Sequence, residues 1–559
     1  MHRLLLTFLI PAFSFNSATA QKETTPNGWH MMDKEADGYY GVSSQKAYDF
    51  IRSHNLKSKT VIVAVIDTGI DTLHEDLKSV LWVNPREIPG NGIDDDKNGY
   101  IDDVHGWNFL GGKDGRNVNE DSPEAARIYY GLKTKYQGKE KEDIDPRDIQ
   151  EYTIWQRAKA NVMGEDNDEG KVDIVRMKKV KAILQKSDSI LKTAIAKEVF
   201  SYNELNSFIA KEPNTKVARN TLLSIMKDYN QTDATNREFV DGFSEFVDEE
   251  EKKEAIKSNP PKNFRADVVK DDESNVNDRN YGNNDIMAGT PMHGTHTSGI
   301  IAAVRNNGLG VDGMADNVRI MMLRAVPDGD EHDKDIANAI RYAVDNGAQI
   351  ISMSFGKYFS PHKEWVDDAF RYAESKNVLL VLAAGNDSKN LDNEESFPNP
   401  VYRDGKGKAS NLLTVGASGD PKNGGLAAYF SNYGKNVVDV FAPGVKIYST
   451  LPGGNNYGNL QGTSFACPLV AGIAALTLEY FPTLTPQQLK YVIERSALKP
   501  KYKVTKPGSD EMVLLEDISK TGGIANAYEA LKVAATLKGD KKQTKEVLPK
   551  PKLISTKKG

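Results

Sequence analysis

Val61-Ile62-Val63-Ala64-Val65-Ile66 runs without a polar residue into Asp67-Thr68-Gly69. All but Ala64 in the apolar stretch are β-branched. A short, wholly apolar run of this kind suits a strand buried on both faces, as in a parallel sheet. Three similar runs follow, at Val318 to Leu323, Ala348 to Ser352 and Val378 to Leu382. Helical patterns separate them, for example at Asp335 to Asn346 and Trp365 to Lys376. Strand–helix alternation predicts an α/β fold, a three-layer, doubly wound, mostly parallel sheet. Reacting groups in such sheets gather at the carboxyl ends of the strands. Asp67, Ser354 and Asn386 each follow one of the apolar runs.

The rest of the chain divides around that core. Residues 57–112 and 281–535 are expected to form it as a discontinuous domain. Residues 113–280 are rich in Lys, Glu, Asp and Asn, with Met177, Val180, Leu184, Leu191 and Ile195 at helical spacing. They read as a charged helical insertion that Asn259-Pro260-Pro261 interrupts. Residues 21–56 read as an N-terminal extension packing on the core, through Trp29 to Asp33. Residues 536–559 read as a Lys-rich tail, a solvated end with a binding patch as the alternative.

Met1-His2-Arg3, an apolar run from Leu4 to Phe15, and Ala18-Thr19-Ala20 make a secretory signal over residues 1–20, cut after Ala20. Export to the periplasm or beyond the cell follows. The apolar run is too short to span a bilayer of about 30 Å, so no membrane span is expected after signal removal.

The 559 residues are 39% hydrophobic and 27% charged, as a soluble protein with a sizeable core should be. A net charge of −6 is too mild to argue for nucleic acid or a membrane surface. Cys467 is the single cysteine, so no intramolecular disulfide can form. Stability must come from packing or bound metal.

Three motifs carry the chemistry. Asp67-Thr68-Gly69 sits at a strand end. A turn Asp would look the same. An aspartic peptidase would need a second such loop to share a proton, and none is present. His293-Gly294-Thr295-His296-Thr297-Ser298-Gly299 leads into an apolar run and puts His293 at the mouth of a buried helix, a mount for a general base. Metal ligation by His293 and His296 is the alternative. Gly462-Thr463-Ser464-Phe465-Ala466-Cys467-Pro468 starts another helix, with Pro468 placed in its first turn. Ser464 then meets unpaired N–H groups that favour negative charge, or serves as a plain N-cap.

In this order the three motifs resemble the subtilisin-type serine peptidases, over roughly Lys57 to Trp107 and Tyr281 to Leu531. The segment Gly522 to Tyr528 resembles the family's terminal helix. The resemblance implies a serine endopeptidase with Asp67, His293 and Ser464 as its triad, acting on protein or peptide substrates without a cofactor for the chemistry. It implies that Asn386 and the Ser464 N–H hold the oxyanion. Ser354, Phe355, Gly356, Ala384 and Gly385 would bind substrate, with Asp328-Gly329 on the opposite side. His293 follows Asp67 by 226 positions, where typical relatives have a few tens. The insertion is therefore a lid, an exosite or inert decoration.

Asp94-Asp95-Asp96-Lys97-Asn98-Gly99 resembles a calcium loop, with Asp94, Asp96 and Asn98 as alternating oxygen ligands. His105 stands where the full motif wants Glu, so Asp102 or Asp103 would supply the remaining carboxylate. A solvated acidic turn is the alternative. Asp76 and Asn307 match a second calcium position of the family, although the loop at Asn306 is one residue longer. The competing functions are a catalytically silent peptide-binding or folding-assistance module, and a metal-dependent hydrolase using His293 and His296.

Overall fold

The run at Val61 forms the strand Val61–Asp67 (β1), an interior element of an eight-stranded sheet. The structure is a computed structural model that describes residues 25–164, 173–229, 231–232, 234–289, 291–421 and 423–541. The signal segment 1–20 and the end of the Lys-rich tail lie outside the described residues. β1 pairs in parallel with Val318–Arg324 (β3) on one side and Ile350–Met353 (β4) on the other. Gly106–Asn108 (β2) pairs with β3 at the sheet's edge. Beyond β4 come Leu379–Ala383 (β5) and Leu412–Asp420 (β6), again parallel. β6 carries antiparallel Asn423–Ala427 (β7) and parallel Val440–Pro443 (β8). Ile447–Leu451 (β9) and Asn456–Leu460 (β10) form a separate hairpin.

Period-two alternation divides β1 between two cores. Val61, Val63 and Val65 face one apolar cluster, and Ala64 and Ile66 face the other. The first cluster is closed by Ser44–Ser53 (α1), Met292–Ala302 (α9), Thr463–Tyr480 (α12), Pro486–Ser496 (α13) and Ala527–Ala535 (α14). The second is closed by Asp333–Asp345 (α10) and Lys363–Ser375 (α11). The sheet is thus covered by helices on both faces, the three-layer arrangement its apolar strands call for. α12 is long and apolar enough to cross a membrane, but it is buried between the sheet and its neighbours. Each fully buried branched side chain there contributes about 1.5–3 kcal/mol.

The N-terminal extension packs on the core. Trp29 is wholly buried and its Nε1 donates to Val445 O at 3.0 Å. Between β2 and α9 the chain folds as helices Glu124–Tyr136 (α2), Ile149–Met163 (α3), Ile174–Ile195 (α4), Tyr202–Ser207 (α5), Pro213–Asp228 (α6), Asn236–Ser258 (α7) and Phe264–Val268 (α8). α4 to α7 share one apolar cluster that includes Leu184 and Leu191. α2 and α3 share another, which also takes in Phe359 from the sheet domain. Val118 and Val269, near the ends of this region, pack in the sheet's second cluster.

Buried charge fastens the same region. Arg265 of α8 bonds Asp335 at 2.5 Å and Asp271 at 2.8 Å. The Lys357 ammonium reaches Glu124 of α2 at 2.8 Å and Asp333 at 2.9 Å. Breaking one partner of such a pair strands the other charge in the interior, which costs about 3–5 kcal/mol.

Candidate active site

Asp67 is the last residue of β1, His293 the second residue of α9, and Ser464 the second residue of α12. Asn386 lies three positions beyond β5. All four stand at the carboxyl ends of the parallel strands. Close approach of α9 to β1 depends on Gly294: a Cβ there would lie 2.1 Å from Gly69 O and 3.2 Å from Asp67 Cβ.

His293 Nδ1 meets Asp67 Oδ1 at 2.7 Å. The same oxygen accepts the Thr68 N–H at 2.7 Å, and Asp67 Oδ2 accepts the Thr297 hydroxyl at 3.2 Å. An ionised carboxylate only accepts, so the His293 proton sits on Nδ1 and Nε2 is left as the basic nitrogen. Burial pulls the imidazole pKa down, and the charge and hydrogen bond of Asp67 outweigh it, so the net direction is upward. The ring lies 5.3 Å from that of Phe465, over the first turn of α12.

Ser464 Oγ donates to Ser354 O at 3.3 Å and makes no hydrogen bond to His293 in this rotamer. One torsion about Cα–Cβ redirects it, and catalytic hydrogen bonds of free enzymes are commonly loose. The expected first-turn place for Pro468 is corrected: α12 starts at Thr463, so Pro468 falls inside the helix. Lacking an N–H, it leaves Ser464 O without the usual helical donor. The Ser354 hydroxyl fills the gap at 2.8 Å, locking the turn that carries Ser464.

Asn386 Oδ1 accepts the Thr463 N–H at 2.8 Å and the Thr463 hydroxyl at 3.0 Å. The Thr463 hydroxyl in turn accepts the Gly385 N–H at 3.0 Å. With its oxygen engaged, Asn386 presents Nδ2 on the other side. Gly462 opens the space there: at φ 152°, a Cβ would sit 3.4 Å from Asn386 Nδ2 and 3.6 Å from Ser464 N. Two donors therefore converge on a spot that only a glycine leaves free.

Phe355 and Gly356 follow β4 and make no main-chain hydrogen bond to other described residues, an open edge for an added strand. Ala384 and Gly385 differ. Ala384 N–H donates to Val415 O at 2.9 Å, and Asn432 holds Ala384 O and Gly385 O. Their main chains support Asn386. Asp328 pairs with Asn119 O and the Asp121 N–H, so on that side its edge is filled by the segment entering α2.

Glu87, Asp94 and Asp96 bring carboxylate oxygens within 4.8 Å of one another. Glu87 is 8% exposed, and its Oε2 has no hydrogen-bond partner. Asn98 closes the loop, its amide donating to Asp103 at 2.9 Å. Asp102 stands apart, accepting N–H groups of Gly90, Asn91 and Gly92. Asp103 accepts from Asn84, Asn98 and Tyr342, and burial raises its pKa to about 6. Asp76 is engaged by Asn307 and by the Tyr457 hydroxyl at 2.7 Å.

His296 does not join His293. Its Nε2 turns to Gly458 O at 3.1 Å, and burial lowers its pKa to about 3. Cys467 is buried beneath the site, and burial raises its thiol to about 11.

The model of the subtilase family matches residues 58–514. The chain is 43% identical over 185 residues to "Thermophilic serine proteinase" of Bacillus sp. (strain AK1), a stretch covering 33% of this chain and 42% of that one. It is 40% identical over 185 residues to "Thermitase" of Thermoactinomyces vulgaris, covering 33% and 60%. To "Extracellular protease" of Xanthomonas campestris pv. campestris it is 34% identical over 239 residues, covering 39% of each. The chain thus spans 39–60% of the length of these relatives.

Proposed function

The chain belongs to the subtilase family, and from that membership we propose that it is an exported serine endopeptidase acting on protein or peptide substrates. Ser464 Oγ attacks the scissile carbonyl as His293 Nε2 takes its proton. Asp67 holds the imidazole by Nδ1 and stabilises its charged form. Asn386 Nδ2 and the Ser464 N–H receive the negative oxygen of the tetrahedral intermediate. His293 then returns the proton to the leaving amine, and water repeats the sequence on the acyl-enzyme. The substrate strand lies along Phe355 and Gly356.

The observation that carries this reading is the 2.7 Å contact between His293 Nδ1 and Asp67, which leaves the other ring nitrogen basic above the first turn of α12. Export is supported by the pattern of residues 1–20 and by the printed name of one relative. The test is casein hydrolysis by the purified chain and its Ser464→Ala variant. Cleavage by the first and none by the second is expected; equal cleavage by both contradicts the proposal.

A structural calcium ion belongs to the same proposal. Glu87, Asp94 and Asp96 would hold it, with Asn98 beside them; hard oxygen donors suit Ca²⁺. The unpartnered Oε2 of Glu87 supports the fit. The ion would stabilise the loop and take no part in bond cleavage.

A further inference from the structure

A cavity of about 680 Å³ opens beside the candidate site. One wall is Tyr358 to Ser360, the continuation of the Ser354–Gly356 segment. The facing wall is Leu382 to Ala384, at the end of β5. Asn386 lies two residues beyond Ala384, within about 7 Å of extended chain. Lys357 and Phe397 exchange main-chain hydrogen bonds of 2.8 Å, and the Tyr358 hydroxyl bonds the Asp387 carboxylate. The cavity is thus bounded by the continuation of the Ser354–Gly356 segment and by the end of β5 that leads into Asn386.

The third wall comes from the insertion. Thr153, Ile154 and Arg157 of α3 line the cavity. α3 is itself firmly seated, with Trp155 buried and its Nε1 donating to Tyr129 O at 3.1 Å. Arg157 reaches Glu395 at 3.1 Å and lies 5.4 Å from the Phe359 ring centroid.

We propose that α3 is a specificity wall: the cavity takes the substrate side chain next to the scissile bond, and Thr153, Ile154 and Arg157 set the size it accepts. The inference rests on the peptidase reading. Ile154, Phe359, Leu382 and Phe397 give the cavity apolar surface, so a large apolar or aromatic side chain is preferred over a small one. The Arg157–Glu395 pair is exposed on both partners, so it adds little to folding and can be removed. Apolar pockets discriminate by about 10–200-fold per methylene of misfit, so altering one wall residue is measurable.

The experiment compares kcat/KM for two peptides that differ only in Phe or Ala before the scissile bond. Thr153 is exposed, so Thr153→Trp projects bulk into the cavity without touching the core. It should lower the Phe/Ala ratio at least about tenfold while the Ala peptide is still cleaved at a measurable rate. Arg157→Ala, also at an exposed position, opens the wall and should raise the ratio. Ratios unchanged in both variants, while both still cleave the Ala peptide, would overturn the specificity wall and leave the peptidase reading intact. A native enzyme that cleaves neither peptide nor casein would overturn both.

Discussion

The hydroxyl of Thr463 donates to Asn386 Oδ1 at 3.0 Å and accepts the Gly385 N–H at 3.0 Å. A backbone N–H from Thr463 reaches the same Oδ1 at 2.8 Å, so the orientation of the amide is dictated by a main-chain donor that cannot reverse. The outcome is an Asn386 Nδ2 aimed toward the space above Gly462 before any substrate arrives. Preorganised donors act strongly because nothing has to reorient as charge develops.

Thr463→Val keeps the shape and removes the hydroxyl. Gly385 N–H loses its acceptor and Asn386 loses one of two anchors. Turnover should fall roughly tenfold with KM little changed, against about 10²–10³ for Asn386→Ala. Thr463→Ser should restore most of the rate. Steady-state kinetics on one peptide checks this, and a loss confined to KM would count against a positioning role.

Thr297 poses a second test. Its hydroxyl bonds Asp67 Oδ2 inside the core. In Thr297→Val the carboxylate loses a hydrogen-bond donor, so its negative charge is less compensated and draws harder on the His293 proton. The His293 pKa already stands above its ordinary 6.5. General-base action needs the neutral ring, so the acid limb of kcat/KM should lie above pH 6.5 and move higher still in the variant. An unmoved limb would remove Thr297 from the account.

His332 ties the insertion to the sheet domain through Asp121 at 2.9 Å and Glu273 at 2.7 Å. Burial and Arg127 lower its pKa, and the two carboxylates raise it by more, so the folded value exceeds 6.5. Its contribution is full below pH 6.5 and is lost as pH rises through the folded value. The Tm difference between the native chain and His332→Gln should be largest in mild acid and vanish in alkali. A difference independent of pH would contradict this.

Calcium should raise Tm by a few degrees and a chelator should reverse it, the size expected when ligand stands near 100 times Kd. Glu87→Gln should erase the response, and Asp102→Asn should spare it. Dependence on Asp102 with indifference to Glu87 would shift the site elsewhere.

Much of this was legible in the chain because parallel strands buried on both faces are predominantly apolar. The runs at Val61, Val318 and Val378 therefore announced themselves, and they end beside Asp67, Arg324 and Asn386. The later strands were not legible. Asn456–Leu460 is half-buried and carries Asn and Gly, and Gly106–Asn108 is too short to show a period. Pro468 was misplaced because a helix start is marked by capping geometry more than by composition. Glu87 escaped notice because it lies outside the acidic loop in sequence and joins it only through a turn. The docking of α3 escaped for a related reason: Thr153 and Arg157 are ordinary exposed helix residues until the fold sets them against Phe359 and Glu395.

The central claim is that Asp67 and His293 turn one hydroxyl, that of Ser464, into a nucleophile. The most direct test is intact-mass and peptide-mapping analysis after exposure to a fluorophosphonate. The account predicts a single adduct on Ser464, absent from Ser464→Ala and slowed about 10³-fold or more in His293→Ala. An adduct on another residue, or labelling of Ser464 that is indifferent to His293, would contradict it.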